Sequence, residues 1–197
     1  MLNISAILLG AGESKRMGTN KLSLPWGRKT VLEHCLETLL KSEVKEVRVV
    51  LNPRDKTLKS FPRNPKVKIV INPLFRKGMS SSIRRGLRAT HPNFKGILIA
   101  LGDQPYLKTS TIDALIRAFS RGGKGIVLPS FRGEIGHPVI FHRKYKKELL
   151  NLRGDVGGKS IIEGHPEDVQ VVSVKSEGVV KDIDTWQDYK RELRVKN

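Results

Sequence analysis

The amino-acid sequence predicts an α/β protein in which a mainly parallel sheet is covered by helices on both faces, making three layers. Two observations predict it. Apolar β-type runs alternate along the chain with stripes of helical period, the pattern of right-handed strand–helix–strand crossovers. Several of the runs are also too uniformly apolar for a sheet with one wet face.

The elements follow in order. "ISAILLG" (4–10) is the first strand, and Val31, Leu32, Cys35, Leu36, Leu39 and Leu40 then recur at helical spacing. Strands are expected at "VKEVRVVLN" (44–52) and "VKIVIN" (67–72), joined across "NPRDKTLKSFPRNPK" (52–66), whose prolines and mixed charge mark a surface connection. Ile83 and Leu87 belong to a second helix, expected to begin near Ile83. "GILIALGD" (96–103) is a strand, and Ile112, Leu115, Ile116 and Phe119 form the third helical stripe. "GIVLPS" (125–130), "HPVIFH" (137–142) and "VQVVSV" (169–174) complete the strands. The helical stripes are core faces.

With 197 residues, 38% of them hydrophobic, one compact domain spanning 1–197 is expected. A single cysteine, Cys35, leaves no internal disulfide, and no long uncharged apolar segment suits a bilayer or a signal peptide, so a soluble cytoplasmic protein is expected. The formal net charge of +18 attracts polyanions without choosing among nucleic acid, anionic lipid and phosphate-rich small molecules. The densest basic runs, "FHRKYKK" and "YKRELRVK", lack the interleaved aromatic platforms of single-strand binders and suit solvated helix faces. Five histidines and one cysteine show no zinc-ligand spacing.

In parallel α/β sheets, ligands gather beyond the carboxyl ends of the strands. Four such ends stand out: "GAGESKRMG", "NPLFRKGMSSS", "GDQP" and "GHPV". The first is neither a dinucleotide fingerprint, since Lys15 stands where GxGxxG needs glycine, nor a P-loop, since GxxxxGK[ST] is absent. Gly10 and Gly12 still permit close backbone approach, so main-chain N–H groups can face an anion while Arg16 and Lys21 supply charge. The same spacing also suits a tight strand-to-helix turn with solvent-facing bases. In "ALGDQP", Asp103 follows a strand directly and is placed to hold Mg²⁺, which takes few carboxylates together with waters and phosphate oxygens. A turn carboxylate bonding its own backbone is the other reading. Asp184, beside Asp182 and ahead of a Thr185/Asp188 capping box, is either a second metal ligand or a group placed by the helix dipole. Ser80, Ser81 and Ser82 read as an N-cap with hydroxyls and amides to spare for a sugar or a base edge.

Taken in order, "LLGAGESKRMGTNKL", "GMSSSIRRGL", "ALGDQPYL", "GEIGHPVIF", "LRGDVGGKSII" and "DIDTWQDY" resemble the MobA-like NTP transferases, and within them the molybdenum cofactor cytidylyltransferases. The resemblance runs from about Ile4 to Tyr189. It implies a Rossmann-like nucleotidyltransferase fold, similar to the nucleotide-diphospho-sugar transferases, whose first loop wraps an NTP triphosphate. On matching positions, Leu9, Gly10, Ala11 and Gly12 lie by the base and phosphates. Ser14, Arg16, Met17, Gly18 and Lys21 continue the nucleotide site, and Ser80 to Ser82 contact the nucleoside. Asp103 matches the Mg²⁺ ligand, with Asp184 as a second. Gly136, His137, Pro138 and Asp155 match the acceptor side.

The implied reaction transfers CMP from CTP to the terminal phosphate of molybdopterin, with Arg16, Lys21 and Asp103 as the working groups. A molybdoenzyme or its maturation chaperone is the implied partner. Family cytidylyltransferases commonly read Leu-Ala-Ala-Gly and guanylyltransferases Leu-Ala-Gly-Gly in the first loop. Here Ala11 carries the cytidylyl-like residue, while Gly10 departs from the usual alanine. Guanylyl transfer, transfer to a sugar phosphate or another small phosphorylated molecule, and a non-catalytic basic nucleic-acid binder are the rival readings.

Overall fold

A computed structural model of the chain describes residues 3–55 and 64–195. Its centre is β1 (Ile4–Gly10), every residue of which is buried. The chain then forms a small antiparallel ribbon, β2 (Pro25–Trp26) with β3 (Lys29–Thr30), and enters α1 (Val31–Leu40). A reciprocal capping box starts this helix: Thr30 Oγ1 accepts from Glu33 N at 3.2 Å, and Thr30 N donates to Glu33 Oε2 at 2.8 Å. Parallel strands β4 (Glu46–Leu51) and β5 (Val67–Ile71) follow, then α2 (Met79–Arg88), β6 (Gly96–Leu101) and α3 (Thr109–Ser120). The expected surface connection 52–66 lies largely outside the described residues.

The second half adds β7 (Ile126–Phe131), the short β8 (Glu134–Ile135), β9 (Val139–His142), two short helices α4 (Lys146–Asn151) and α5 (Lys159–Gly164), β10 (Val169–Ser173) and α6 (Trp186–Val195). Apart from the β2–β3 ribbon, the strands form one sheet in the order β10-β7-β9-β6-β1-β4-β5, with β8 paired to β7. Pairings are parallel around β1, where Leu9 stands opposite Val50 on one side and Leu101 on the other. They are antiparallel where β9 sits between β6 and β7. β9 follows a cis His137–Pro138 peptide, so His137 precedes the strand.

Alternation along β1 sorts the core into two layers. Ala6 and Leu8 pack with α1 and α3 residues such as Leu32, Leu36, Ile112 and Leu115. Ile7 and Leu9 pack on the other face with Ile83 and Leu87 of α2 and Leu149 of α4. The expected three-layer α/β/α arrangement with a mainly parallel sheet is therefore the observed one. The start of α2 is a correction: the helix begins at Met79, so Ser80, Ser81 and Ser82 lie inside its first turn and none is its N-cap. A distant residue does the capping, for Met79 N donates to Asp155 Oδ1 at 2.9 Å.

Candidate active site

Beyond the carboxyl ends of β1 and β6 lies a cleft of about 830 Å³, within the size range of nucleotide-sized ligand sites. Leu9 and Leu101 contribute the strand ends. One wall is the loop after β1, whose conformation is held by specific contacts. Ser14 adopts a left-handed backbone (φ 50°) and its Oγ accepts from Lys21 N at 3.1 Å, folding the loop back on itself. Met17 is buried and anchors the loop from behind, and its carbonyl accepts from Trp186 Nε1 at 3.0 Å. Ala11, Gly12, Ser14, Arg16 and Lys21 line the cleft.

Lys21 is the electrostatic centre. Its Nζ stands 2.7 Å from Asp103 Oδ2 and 2.7 Å from Asp184 Oδ1, while Arg16 Nη1 reaches Asp184 Oδ2 at 2.9 Å. Partial burial works to lower the pKa of the Lys21 ammonium, but Asp103 and Asp184 outweigh it and hold the group above its ordinary value. Asp182 also lines the cleft, and its carboxyl is pushed up by partial burial first and then by the negative charge of Asp184 and Asp103. Three carboxylates thus crowd one side of a cleft whose other groups include Arg16, Lys21, Arg76 and Lys77.

The opposite wall comes from the segment before α2 and from the turn at Gly154–Asp155. Gly78 has φ 85°, and a methyl group there would fall 2.5 Å from the Asp155 Cα, so a glycine is required for these two walls to meet. Arg76 Nε lies 3.3 Å from Glu13 Oε1, an ion pair that ties this segment to the first loop across the opening. Among the described residues no group of three or more His, Cys, Asp or Glu forms a metal cage by itself. Asp103 and Asp184 nevertheless already share a cation, the Lys21 ammonium, and offer only oxygen donors. That set fits Mg²⁺, a hard ion that binds through one or two carboxylates and completes its shell with waters and substrate phosphates.

The sequence-derived candidates divide accordingly. Leu9, Ala11, Gly12, Ser14, Arg16, Lys21, Ser82, Asp103, Asp155 and Asp184 come together on the cleft. Gly10 does not line it: a side chain there would run into Leu51 at 2.9 Å and Leu32 at 3.3 Å, so its departure from alanine answers to packing behind the loop. Met17 and Gly18 shape the loop from outside the cleft. Ser80 and Ser81 are buried beneath it, with Ser81 Oγ bonded to Leu74 O (2.9 Å) and Gly78 O (2.8 Å).

Gly136, His137 and Pro138 stand off the cleft wall. His137 N donates to Val179 O at 2.8 Å, and burial chiefly lowers the pKa of its imidazole, with Asp103 opposing. Asp155 lines the cleft but also caps α2. Sequence reasoning missed Glu13, Asp182 and the run Phe75–Met79. In the sequence the end of β5 stands out as a ligand-gathering end, but there only the serines carry a recognisable signal.

Comparisons with known proteins agree with this geometry. A family model described as "MobA-like NTP transferase domain" matches residues 6–170. The chain is 28% identical to nicotine blue oxidoreductase of Paenarthrobacter nicotinovorans, covering 96% of each chain. It is 25% identical to molybdenum cofactor cytidylyltransferase of Escherichia coli, covering 96% of this chain and 95% of the relative. Among solved structures it is similar to Rv0371c of Mycobacterium tuberculosis, with 28% identity, a TM-score of 0.84 and 98% of each chain covered. Rv0371c has also been solved in complex with manganese.

Proposed function

The chain belongs to the MobA-like NTP transferase family, and from that premise we propose that it transfers CMP from CTP to the terminal phosphate of molybdopterin, releasing pyrophosphate. In this reading residues 1–197 act as one such domain in the cytoplasm, and the product passes to a molybdoenzyme or its maturation chaperone. One observation carries the nucleotidyl-transfer assignment: Lys21 joins Asp103 and Asp184 on the wall of a cleft whose other lining includes a glycine-bearing strand-to-helix loop. The cytidylyl choice draws on the Escherichia coli relative and on Ala11, which faces the cleft at the position where the two base classes of the family differ.

An oxygen of the acceptor phosphate attacks the α-phosphorus in line; that P–O bond forms as the bond to the bridging oxygen of the leaving pyrophosphate breaks. The nucleophile is already anionic near neutral pH, so no side chain need remove a proton. The obstacle is charge crowding. A divalent cation held by Asp103 and Asp184, Mg²⁺ in our reading, would neutralise phosphate charge there. Lys21 and Arg16 supply fixed positive charge, and Lys21 keeps its proton because two carboxylates flank it. The main chain at Ala11 and Gly12 can approach the phosphates closely.

The oxidoreductase named among the relatives does not redirect this reading, because Lys15 stands where a dinucleotide fingerprint needs its third glycine. Thermal-shift measurement with ATP, CTP, GTP and UTP, each with Mg²⁺, tests the proposal, since a ligand that binds the native state raises its apparent stability. A selective rise with CTP is expected. A rise with GTP alone replaces cytidylyl by guanylyl transfer, and no rise with any NTP sinks the transferase reading.

A further inference from the structure

Asn72, which follows β5 and is 2% exposed, lies below the cleft and does not line it. Among the described residues, every polar group of its side-chain amide is accounted for. Leu74 N donates to Asn72 Oδ1 at 3.0 Å, which identifies the carbonyl end of the amide. The two Nδ2 protons go to Ser81 Oγ at 2.9 Å and to Ser82 Oγ at 3.0 Å. Ser81 passes its own hydroxyl proton to the carbonyls of Leu74 or Gly78. Ser82 has no such acceptor among the described residues, although it is 6% exposed and lines the cleft. With Asn72 donating to its oxygen and no protein acceptor for its proton among those residues, the Ser82 hydroxyl holds a free O–H that a ligand in the cleft can satisfy.

We propose that Asn72 is a positioning residue that fixes Ser82 as a hydrogen-bond donor toward the nucleoside, selecting nucleotides that present an acceptor atom there: a ring carbonyl, a ring nitrogen or a ribose oxygen. The inference deepens the transferase reading and rests on it for the identity of the ligand. The amide itself acts at one remove, through the serine. Its buried setting makes it effective, since an unpaired amide at this depth is costly and the orientation with Leu74 N on Oδ1 engages both Nδ2 protons as well.

Asn72→Asp separates orientation from mere presence. At pH 8 its carboxylate keeps the bond from Leu74 N but accepts from both serines, so Ser82 turns its proton inward and shows the cleft only lone pairs. Ser82→Ala removes the group altogether. In calorimetric titration with CTP and Mg²⁺, each variant is expected to raise Kd roughly 3- to 10-fold, the loss of one net hydrogen bond, and the double variant to be no weaker than the weaker single.

The side-chain amide resonances of Asn72, read by nitrogen-15 NMR in the nucleotide-free protein, are expected to exchange slowly and to move on Ser82→Ala. This second reading does not depend on which ligand binds. Parent-like CTP affinity in Asn72→Asp beside a weakened Ser82→Ala overturns the positioning role, as do rapidly exchanging amide protons. If the amide behaves as expected while the parent binds no NTP, the Asn72–Ser82 geometry stands and the transferase reading falls, taking the nucleoside with it.

Discussion

Asp103 and Asp184, far apart along the chain, are joined through one ammonium group, with Lys21 Nζ 2.7 Å from an oxygen of each. Neither carboxylate supports the core. Both stand on the cleft, where their proximity to each other and to Asp182 would cost stability without a cation between them.

Asp103→Asn should therefore lower nucleotidyl transfer by orders of magnitude while leaving the fold intact. Turnover at saturating Mg²⁺, measured beside far-ultraviolet circular dichroism, checks this. Near-normal turnover would remove Asp103 from the metal.

Lys21→Ala should cost on the order of 10²-fold in turnover, the loss of one fixed charge aimed at the transition state. It also leaves Asp103 and Asp184 facing each other unscreened, with no ammonium competing for their oxygens, so the variant should need a lower Mg²⁺ concentration for half-maximal rate. Identical metal titrations in parent and variant would contradict the shared-cation geometry.

Gly78→Ala should disturb the cleft without removing any charged group. The residue has φ 85° and its added methyl meets the Asp155 backbone, so the wall must open and the Met79 N to Asp155 bond must lengthen. A loss on the order of 1–3 kcal/mol in urea unfolding is expected from the strained backbone, together with weaker NTP binding. Unaltered stability would mean that the two segments are not packed as described.

Asp168 offers a test remote from the cleft. Burial works to raise its pKa, but bonds from Lys144 (2.6 Å), the Tyr145 hydroxyl and Gly125 N (2.9 Å) outweigh it and bring the value down to about 2 from 3.8. A depressed carboxyl contributes stability that is fully present above the unfolded value and is lost as pH falls through the folded one. Asp168→Asn should cost about 2 kcal/mol at pH 7, and the gap from the parent should shrink between pH 4 and pH 2. A gap that stays constant over that range would show that the carboxylate's charge is not what matters.

The longer strands and the helices α1 and α3 are legible because each is long enough to show its period, as Val31, Leu32, Cys35, Leu36 and Leu39 do in α1. α2 was misplaced for a definite reason. Gly78 followed by serines reads locally as a stop and then a cap, whereas the actual cap is Asp155, brought in by the tertiary fold. Two-residue strands such as β8 and six-residue helices such as α4 and α5 carry too little pattern to find. Within the cleft, Lys21, Asp103 and Asp184 follow from the ordered motifs, while Arg76 and Lys77 lie in a strand end where only the serines stand out, and gain their place from the ion pair of Arg76 with Glu13 and the turn at Gly78.

The attachment of α6 to the first loop has a consequence for how the protein is made. Trp186 Nε1 bonds the Met17 carbonyl at 3.0 Å and the Tyr189 hydroxyl bonds the Pro25 carbonyl at 2.6 Å, while Asp184 supplies the second carboxylate to Lys21. On the ribosome, the loop that begins at Gly10 emerges long before its back support and its ionic partner, which follow it by most of this domain. A nascent chain can lay down β1, β4 and β6 long before it can bind a nucleotide. Competence arrives abruptly, once the residues from Asp184 to Tyr189 have cleared the exit tunnel.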